Sequence, residues 1–536
     1  MKNYKFLILN LTIFMLSANY LFAENEFGLR LAPALVSPLR AEQLKTGAGV
    51  TGSFDWTFYN FAKYFDLGVS AGGVFASLLV QVGESLILFE GKAGPFVRWR
   101  PNSLFGLNFE RWAFQAGVNI GIYRHTRGED SDTRGLFSTA LGAQYHISPY
   151  FSGFAETGFT RRVFGSSPLT SFDLSLGIRI NLSELMGGRA RVQVEKTQQH
   201  RVFPVSYAWY EHNPVAEVRL TNEEPNAITD LHLTFFMDSY MSQPWTFAVV
   251  PRLEAAESVN LPVTALFNEA LMTLTETVNA NGTIQIQYRS LGARKETSVP
   301  VQMPVFHRNT LSWDDDRRAA AFVSPRDSAA RYFARYVAAG VEEAVNNRQL
   351  QAGNTPSNVV YAAALFEALR LYGISYVVVP ATSFARVAAD ESVLDNVSFP
   401  YQALHYRGGD CSYLSILFCS MLEALDIESA FITIPGHIYI AFEVGDDTWQ
   451  ANNSSIIQLD GKRWLPLELT VPSEGFSRGW RIGAQQWQNN RGQAELYPIR
   501  EAWKVYPSVT VPASGDQLPE MPNRDEIIRA VGRELR

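Results

Sequence analysis

Between Phe27 and Leu182 apolar and polar residues alternate with a period of two, the signature of strands with one apolar face. In FDLSLGIRINL (172–182), Phe172, Leu174, Leu176, Ile178, Ile180 and Leu182 share one face, and Asp173, Ser175, Gly177, Arg179 and Asn181 share the other. WAFQAGVNIGIY (112–123), FSTALGAQY (137–145) and VTGSFDWTFY (50–59) split in the same way, and further alternating runs lie near 27–35, 65–75, 86–100 and 150–162. The pattern predicts eight strands of a length that crosses a bilayer at a tilt.

Alternation also describes a soluble sheet with one wet face. Three features turn the reading toward a membrane barrel over 24–185. The polar face is rich in Gly and Ser and carries balanced charges at Arg30, Asp55, Asp66, Arg98, Glu156 and Arg179, which suits a narrow, plugged interior. Trp56, Phe65, Trp99, Trp112, Tyr145 and Tyr150 lie toward strand ends, where interfacial aromatic girdles sit. The segments 37–47 and 124–135 read as long polar loops, and 60–64 and 147–150 as short turns. The region resembles the small eight-stranded outer-membrane barrels of diderm bacteria. That resemblance implies outer-membrane lipid as a partner, short turns on the periplasmic side together with both barrel ends, and all residues after Leu182 in the periplasm. A barrel of this size is filled by its own side chains, so it anchors rather than conducts.

The next hundred residues keep the short period but gain Pro and Asn punctuation. AEVRLTN, TDLHLTFFMD, FAVVPRLEA, VNLPVTALF, GTIQIQYRS and TSVPVQMPVF, with a hairpin signal at Asn281-Gly282, predict an immunoglobulin-like β-sandwich over 205–306 that serves as a spacer. A polar connector is expected at 307–326. The period then changes to 3.6: DSAARYFARYVAAGVEEAV (327–345) and SNVVYAAALFEALRLYG (357–373) predict helices at the start of an α+β domain over 327–500. Residues 501–536 read as a proline-bearing linker and a short amphipathic helix, RDEIIRAVGREL.

Ahead of the barrel, MKNYKFLILNLTIFMLSANYLFA (1–23) places Lys2 and Lys5 before an apolar run and ends on a small residue, the layout of a cleaved secretory signal peptide. No cysteine follows it for lipid attachment. The 46 Lys and Arg against 53 Asp and Glu leave a net charge of −7, which argues against a nucleic-acid partner.

Export gives meaning to the two cysteines, Cys411 and Cys419, both in RGGDCSYLSILFCSMLEALDI (407–427). On one helix their Cα atoms stand about 12 Å apart, beyond the ~7 Å that a disulfide spans. Cys419, among Leu417, Phe418, Met421 and Leu422, is a small core residue. Cys411 follows Gly408-Gly409-Asp410 and opens the helix, where free backbone N–H groups and the dipole favour a thiolate. Downstream, FITIPGHIYIAFEV (431–444) carries His437 after a Pro-Gly break, and RWLPLELT (463–470) carries Glu468.

GGDC at a helix start, LEALDI at its end, GH on the next strand and W-x-P-x-E-x-T beyond resemble the transglutaminase-like superfamily of cysteine enzymes, with a papain-like fold, over about 355–490. The resemblance implies Cys411 as nucleophile, His437 as base and then acid, and Glu468 as the carboxylate that orients the histidine. The family more usually has Asp in the last place, which makes Asp460 in QLDGKRW the substitute. The Cys411 N–H and, among Gln402, Tyr401 and Tyr406, preferably Gln402 would stabilise the oxyanion. His405 and Arg407 read as surface or supporting groups. No further Cys or His stands at ligand spacing, so neither metal nor cofactor is expected. The expected substrate is a peptide or protein amide, hydrolysed or transferred. The alternative is a catalytically silent module that binds a peptide in the same cleft.

Overall fold

The computed structural model describes residues 26–536 except 40–43, 63, 81–84, 102, 105–106, 128–129, 165–166, 186–187, 189, 378–393, 446–448, 450–454 and 512–517. The signal-like segment 1–23 lies outside the described residues. Eight antiparallel strands close into a barrel: β1 (Glu26–Leu39), β2 (Gly47–Ala62), β3 (Phe65–Leu79), β4 (Ser85–Trp99), β5 (Trp112–Arg127), β6 (Asp130–His146), β7 (Phe151–Phe164) and β8 (Ser167–Asn181). Each strand pairs with its neighbour in sequence, and β1 closes on β8 with Gly28 opposite Asn181, so both chain ends leave by one rim.

The barrel is inside out relative to a water-soluble protein. Leu35, Val50, Ile120, Leu141, Phe159 and Leu176 are exposed on the outside, whereas Asp55, Arg98, Arg162 and Arg179 are buried within. The lumen is closed by ion pairs: Arg30 binds Asp55 at 2.8 Å and Glu156 at 2.6 Å, and Glu26 gathers Arg98, Arg100 and Arg179 at 3.3, 2.5 and 2.8 Å. A buried guanidinium is tolerable only where carboxylates meet it in this way. Aromatic rings collect at the rim that holds the chain ends, where Phe65 stacks on Trp99 at 6.2 Å and Trp112 meets Tyr145 at 5.1 Å.

Two expectations about this region need correction. Residues 124–135 are not a long loop, because β5 and β6 stay paired from Arg124 opposite Thr133 to Arg127 opposite Asp130. Strands of 14–17 residues at a 40° tilt rise about 35–45 Å, more than an apolar band of about 25 Å. Hydropathy therefore marks where the band ends, not where the strand ends. The longest connection, 100–111, also lies on the rim of the chain ends, so loop length does not set the barrel's orientation.

The middle region contains two antiparallel sheets around one core. Strands β9 (Val192–Gln199), β10 (Ala216–Asn222), β11 (Ile228–Phe236), β12 (Trp245–Leu253), β13 (Ser258–Val263), β14 (Val278–Ser290) and β15 (Ala293–Val305) form the orders β9-β10-β13 and β12-β11-β14-β15. The region thus begins before residue 205, with the mostly polar edge strand β9. Asn281-Gly282 is not a turn: Gly282 pairs with Val301 in mid-strand, and a Cβ there would come within 2.7 Å of the Phe235 ring. The hairpin closes at Leu291-Gly292, both with positive φ. Arg252 bonds Glu110, and Lys295 reaches Glu184 at 3.0 Å, joining this region to the barrel rim.

The C-terminal domain is α+β. Helices α1 (Ser328–Asn346), α2 (Ser357–Tyr372), α3 (Pro400–Tyr406) and α4 (Cys411–Ala424) precede β16 (Ser429–Ile434), β17 (His437–Glu443), β18 (Ile457–Leu459) and β19 (Lys462–Leu467). Then follow α5 (Phe476–Asn489), β20 (Glu495–Pro498) and α6 (Arg524–Glu534), with the sheet in the antiparallel order β18-β19-β17-β16-β20. The core lies between α4 and one sheet face, where Leu417 and Phe418 share a cluster with Phe431, Ile440 and Leu465.

Residues 307–326 are not a free connector, since Ala319 to Val323 are fully buried in this core. Arg318 lies over the Phe203, Trp209 and Tyr506 rings at 5.9, 5.1 and 5.4 Å, which binds the middle region to the domain. The described part of the tail is likewise packed: the Val509 N–H donates to Ala321 O at 3.0 Å, and α6 buries Ile527, Ala530 and Val531.

Candidate active site

The head of α4 is set by its cap. The Asp410 carboxylate accepts from the Ser412 and Tyr413 N–H groups at 3.0 and 3.1 Å and from the Ser412 hydroxyl at 2.7 Å. The Cys411 N–H lies outside that cap. Burial holds Asp410 above the usual carboxylate range and pushes nearby Asp395, which accepts from Trp313 Nε1 at 2.8 Å, up to about 6. Before the cap, Gly408-Gly409 pairs in parallel with Ser375-Tyr376. A Cβ at Gly408 would meet Ser375 O at 2.8 Å, so glycine lets the two backbones approach.

His437 opens β17 immediately after the Pro435-Gly436 turn. Its Nε2 meets Glu468 Oε2 at 2.7 Å, and the Cys411 thiol is close enough to act on the ring as well. Tyr439, two residues along the strand, stacks behind the imidazole at 5.8 Å. Glu468, just past β19, is 1% exposed and fixed from both ends: its N–H donates to Gly479 O at 3.1 Å, and its Oε1 accepts from Thr470 N–H at 2.9 Å.

Burial alone would lower the His437 pKa, but hydrogen bonds to Cys411 and Glu468 and their charges outweigh it and raise it to about 10. Burial would raise the Glu468 pKa, yet the His437 contact holds it below the ordinary value. Both directions describe one imidazolium stabilised by its two partners. Cys411 is 6% exposed, while Cys419 is fully buried and its thiol is pushed up by burial. Neither cysteine is in a disulfide.

Thus Cys411, His437 and Glu468 come together, although Glu468 stands 57 residues after Cys411. Asp460 does not join them; it is exposed, with φ 52°, in the turn between β18 and β19. Gln402 caps α3, where its Oε1 accepts from Phe399 N–H at 2.8 Å and Asn309 Nδ2 at 2.7 Å. The Tyr401 hydroxyl accepts from Arg308, and Tyr406 is 72% exposed. Among the described residues, no group of three or more His, Cys, Asp and Glu could hold a metal.

Two features of this neighbourhood escaped the sequence reading. Tyr376 stands beside the helix head, and ISYVVV (374–379), an apolar run after the helix-ending Gly373, is the strand signal that could have located it. A small apolar cleft is lined by Ile374, Leu414 and Leu469 among others, one helical turn from Cys411 and adjacent in sequence to Glu468.

No family model matches this sequence, and no curated protein matches it. Among solved structures, the chain is similar to Neisserial surface protein A at 13% identity over 29% of this chain and 96% of that one, with a TM-score of 0.23. It is also similar to Ail, the attachment invasion locus protein of Yersinia pestis, at 15% identity over 29% and 97%, with a TM-score of 0.20. The barrel described above rests on its own strand pairing.

Proposed function

We propose that the C-terminal domain is a transglutaminase-like cysteine enzyme of papain-like fold that cleaves or transfers a peptide or isopeptide amide, tethered by its barrel to an outer membrane. The observation that carries this reading is His437 bridging Cys411 and Glu468. In the reaction, with the Cys411 proton already resting on His437, Sγ bonds to the amide carbon, whose C=O pair moves onto oxygen. The pair returns to re-form C=O, the C–N bond breaks, and His437 gives its proton to the leaving amine. Water then attacks the thioester with His437 as base, releasing a carboxylate and the Cys411 thiolate. Hydrolysis is favoured over transfer because water is abundant and no amine-acceptor site is evident in the sequence. The apolar cleft suits an aliphatic group beside the scissile amide.

The anchor reading is supported by the apolar outer wall, the charge-filled lumen and the signal-like segment 1–23. Among the described residues no helix is long and apolar enough to cross a membrane. Both barrel ends share a rim, so the remaining domains hang on one side, read here as the periplasm, with the middle sheets as an immunoglobulin-like spacer. The 6% exposure of Cys411 is the observation that favours the silent peptide-binding alternative. Incubation with an activated ester decides between them: the enzyme accumulates an acyl adduct on Cys411 that Cys411→Ala abolishes, and a silent module forms none.

A further inference from the structure

We propose that the Tyr376 hydroxyl is the side-chain donor that stabilises the oxyanion formed when Cys411 attacks a carbonyl, the role the sequence assigned to Gln402. This rests on the reading of Cys411, His437 and Glu468 as a catalytic set.

The backbone places Tyr376 where the role requires. It is paired in parallel with Gly409, two residues before the nucleophile, and Val377 N–H locks the pairing by donating to Gly409 O at 2.9 Å. The side chain is 38% exposed, so a substrate can reach it. Two other tyrosines around the helix head have spent their O–H groups: Tyr372 donates to Leu404 O at 3.2 Å, and Tyr413 donates to Asn396 O. The Tyr376 hydroxyl bonds no described residue, and Cys411, Asp410 and Glu468 all act on it electrostatically. Partial burial and those three groups raise its pKa, so at neutral pH the phenol keeps the proton it must donate.

Chemistry gives the rest. Attack by Sγ moves the C=O pair onto oxygen, and an oxyanion needs donors aimed at it before it forms. The Cys411 N–H, outside the Asp410 cap, supplies one. Tyr376 O–H supplies the second and keeps its proton, because collapse of the intermediate returns the pair to the carbonyl.

The full chain and its Tyr376→Phe variant are each treated with p-nitrophenyl acetate, which builds an oxyanion, and with iodoacetamide, which alkylates sulfur without one. Tyr376→Phe should slow acylation of Cys411 by about 10²-fold, the loss expected from one oxyanion donor, and leave alkylation of Cys411 unchanged. Unchanged acylation overturns the Tyr376 role while the catalytic reading stands. Equal slowing of both reactions also overturns it, since Tyr376 would then act on the thiolate or on folding. Absence of any acyl adduct in the unaltered chain overturns the catalytic reading and this role together.

Discussion

In the barrel lumen, Asp55 is shared by Arg30, Arg98 and Arg179, and Glu26 by Arg98, Arg100 and Arg179. At the head of α4, Glu468 meets one histidine, whose other partner is a thiol. Both clusters bury charge, but the lumen surrounds each carboxylate with cations it cannot release. The second cluster places a movable proton between a nucleophile and a base, beside Tyr376, whose hydroxyl bonds no described residue. Buried charge therefore does not mark a reactive site by itself; incomplete satisfaction next to a nucleophile does.

Substitutions can pull the two clusters apart. The largest expected effect is at Glu468: Glu468→Gln keeps shape but loses charge, and should lower turnover by about 10⁴-fold, as the equivalent carboxylate-to-amide change does in a serine triad. Asp460→Asn, on its exposed turn, should leave turnover unchanged, and the reverse result would put the orienting carboxylate at that turn. Arg98→Met leaves Glu26 with Arg100 and Arg179 and Asp55 with Arg30 and Arg179, so it should cost barrel stability about 1.5–3 kcal/mol, the worth of a hydrogen bond to a charged group, read from urea unfolding in detergent. Acylation of Cys411 should stay at its original rate, and its loss would show that the regions are coupled.

A smaller effect is expected from pH. His437 is raised from an ordinary 6.5 to about 10, so folding gains from the charged ring. That gain is fully present below pH 6.5 and disappears as pH rises through about 10. The unfolding midpoints of the original chain and Glu468→Gln should therefore converge across this window. A constant gap would mean that His437 is not held as imidazolium.

Much of this was legible in the sequence, for reasons specific to each region. The barrel faces could be read because every strand carries the same period-two code, as Leu176 outside and Arg179 inside illustrate. Strand lengths could not be read, because pairing in β5 and β6 continues through polar residues past the apolar band. Cys411, His437 and Glu468 were legible because a helix start, a Pro-Gly break and a strand end each leave a local signal. The cap that Gln402 makes on α3 was not legible, because it depends in part on Asn309, 93 residues away in sequence. Asn281-Gly282 misled because a glycine required by the Phe235 ring looks identical, in sequence, to one required by a turn.

The central claim is that Cys411 is activated through His437, and competitive alkylation tests it most directly. Iodoacetamide is added to the folded chain and to His437→Ala, with adducts on Cys411 and Cys419 followed separately by mass spectrometry. Cys411 should react fast and Cys419, fully buried, scarcely at all, and His437→Ala should slow Cys411 strongly. Equal labelling of the two cysteines, or a Cys411 rate indifferent to His437, would contradict the account and leave the peptide-binding module in its place.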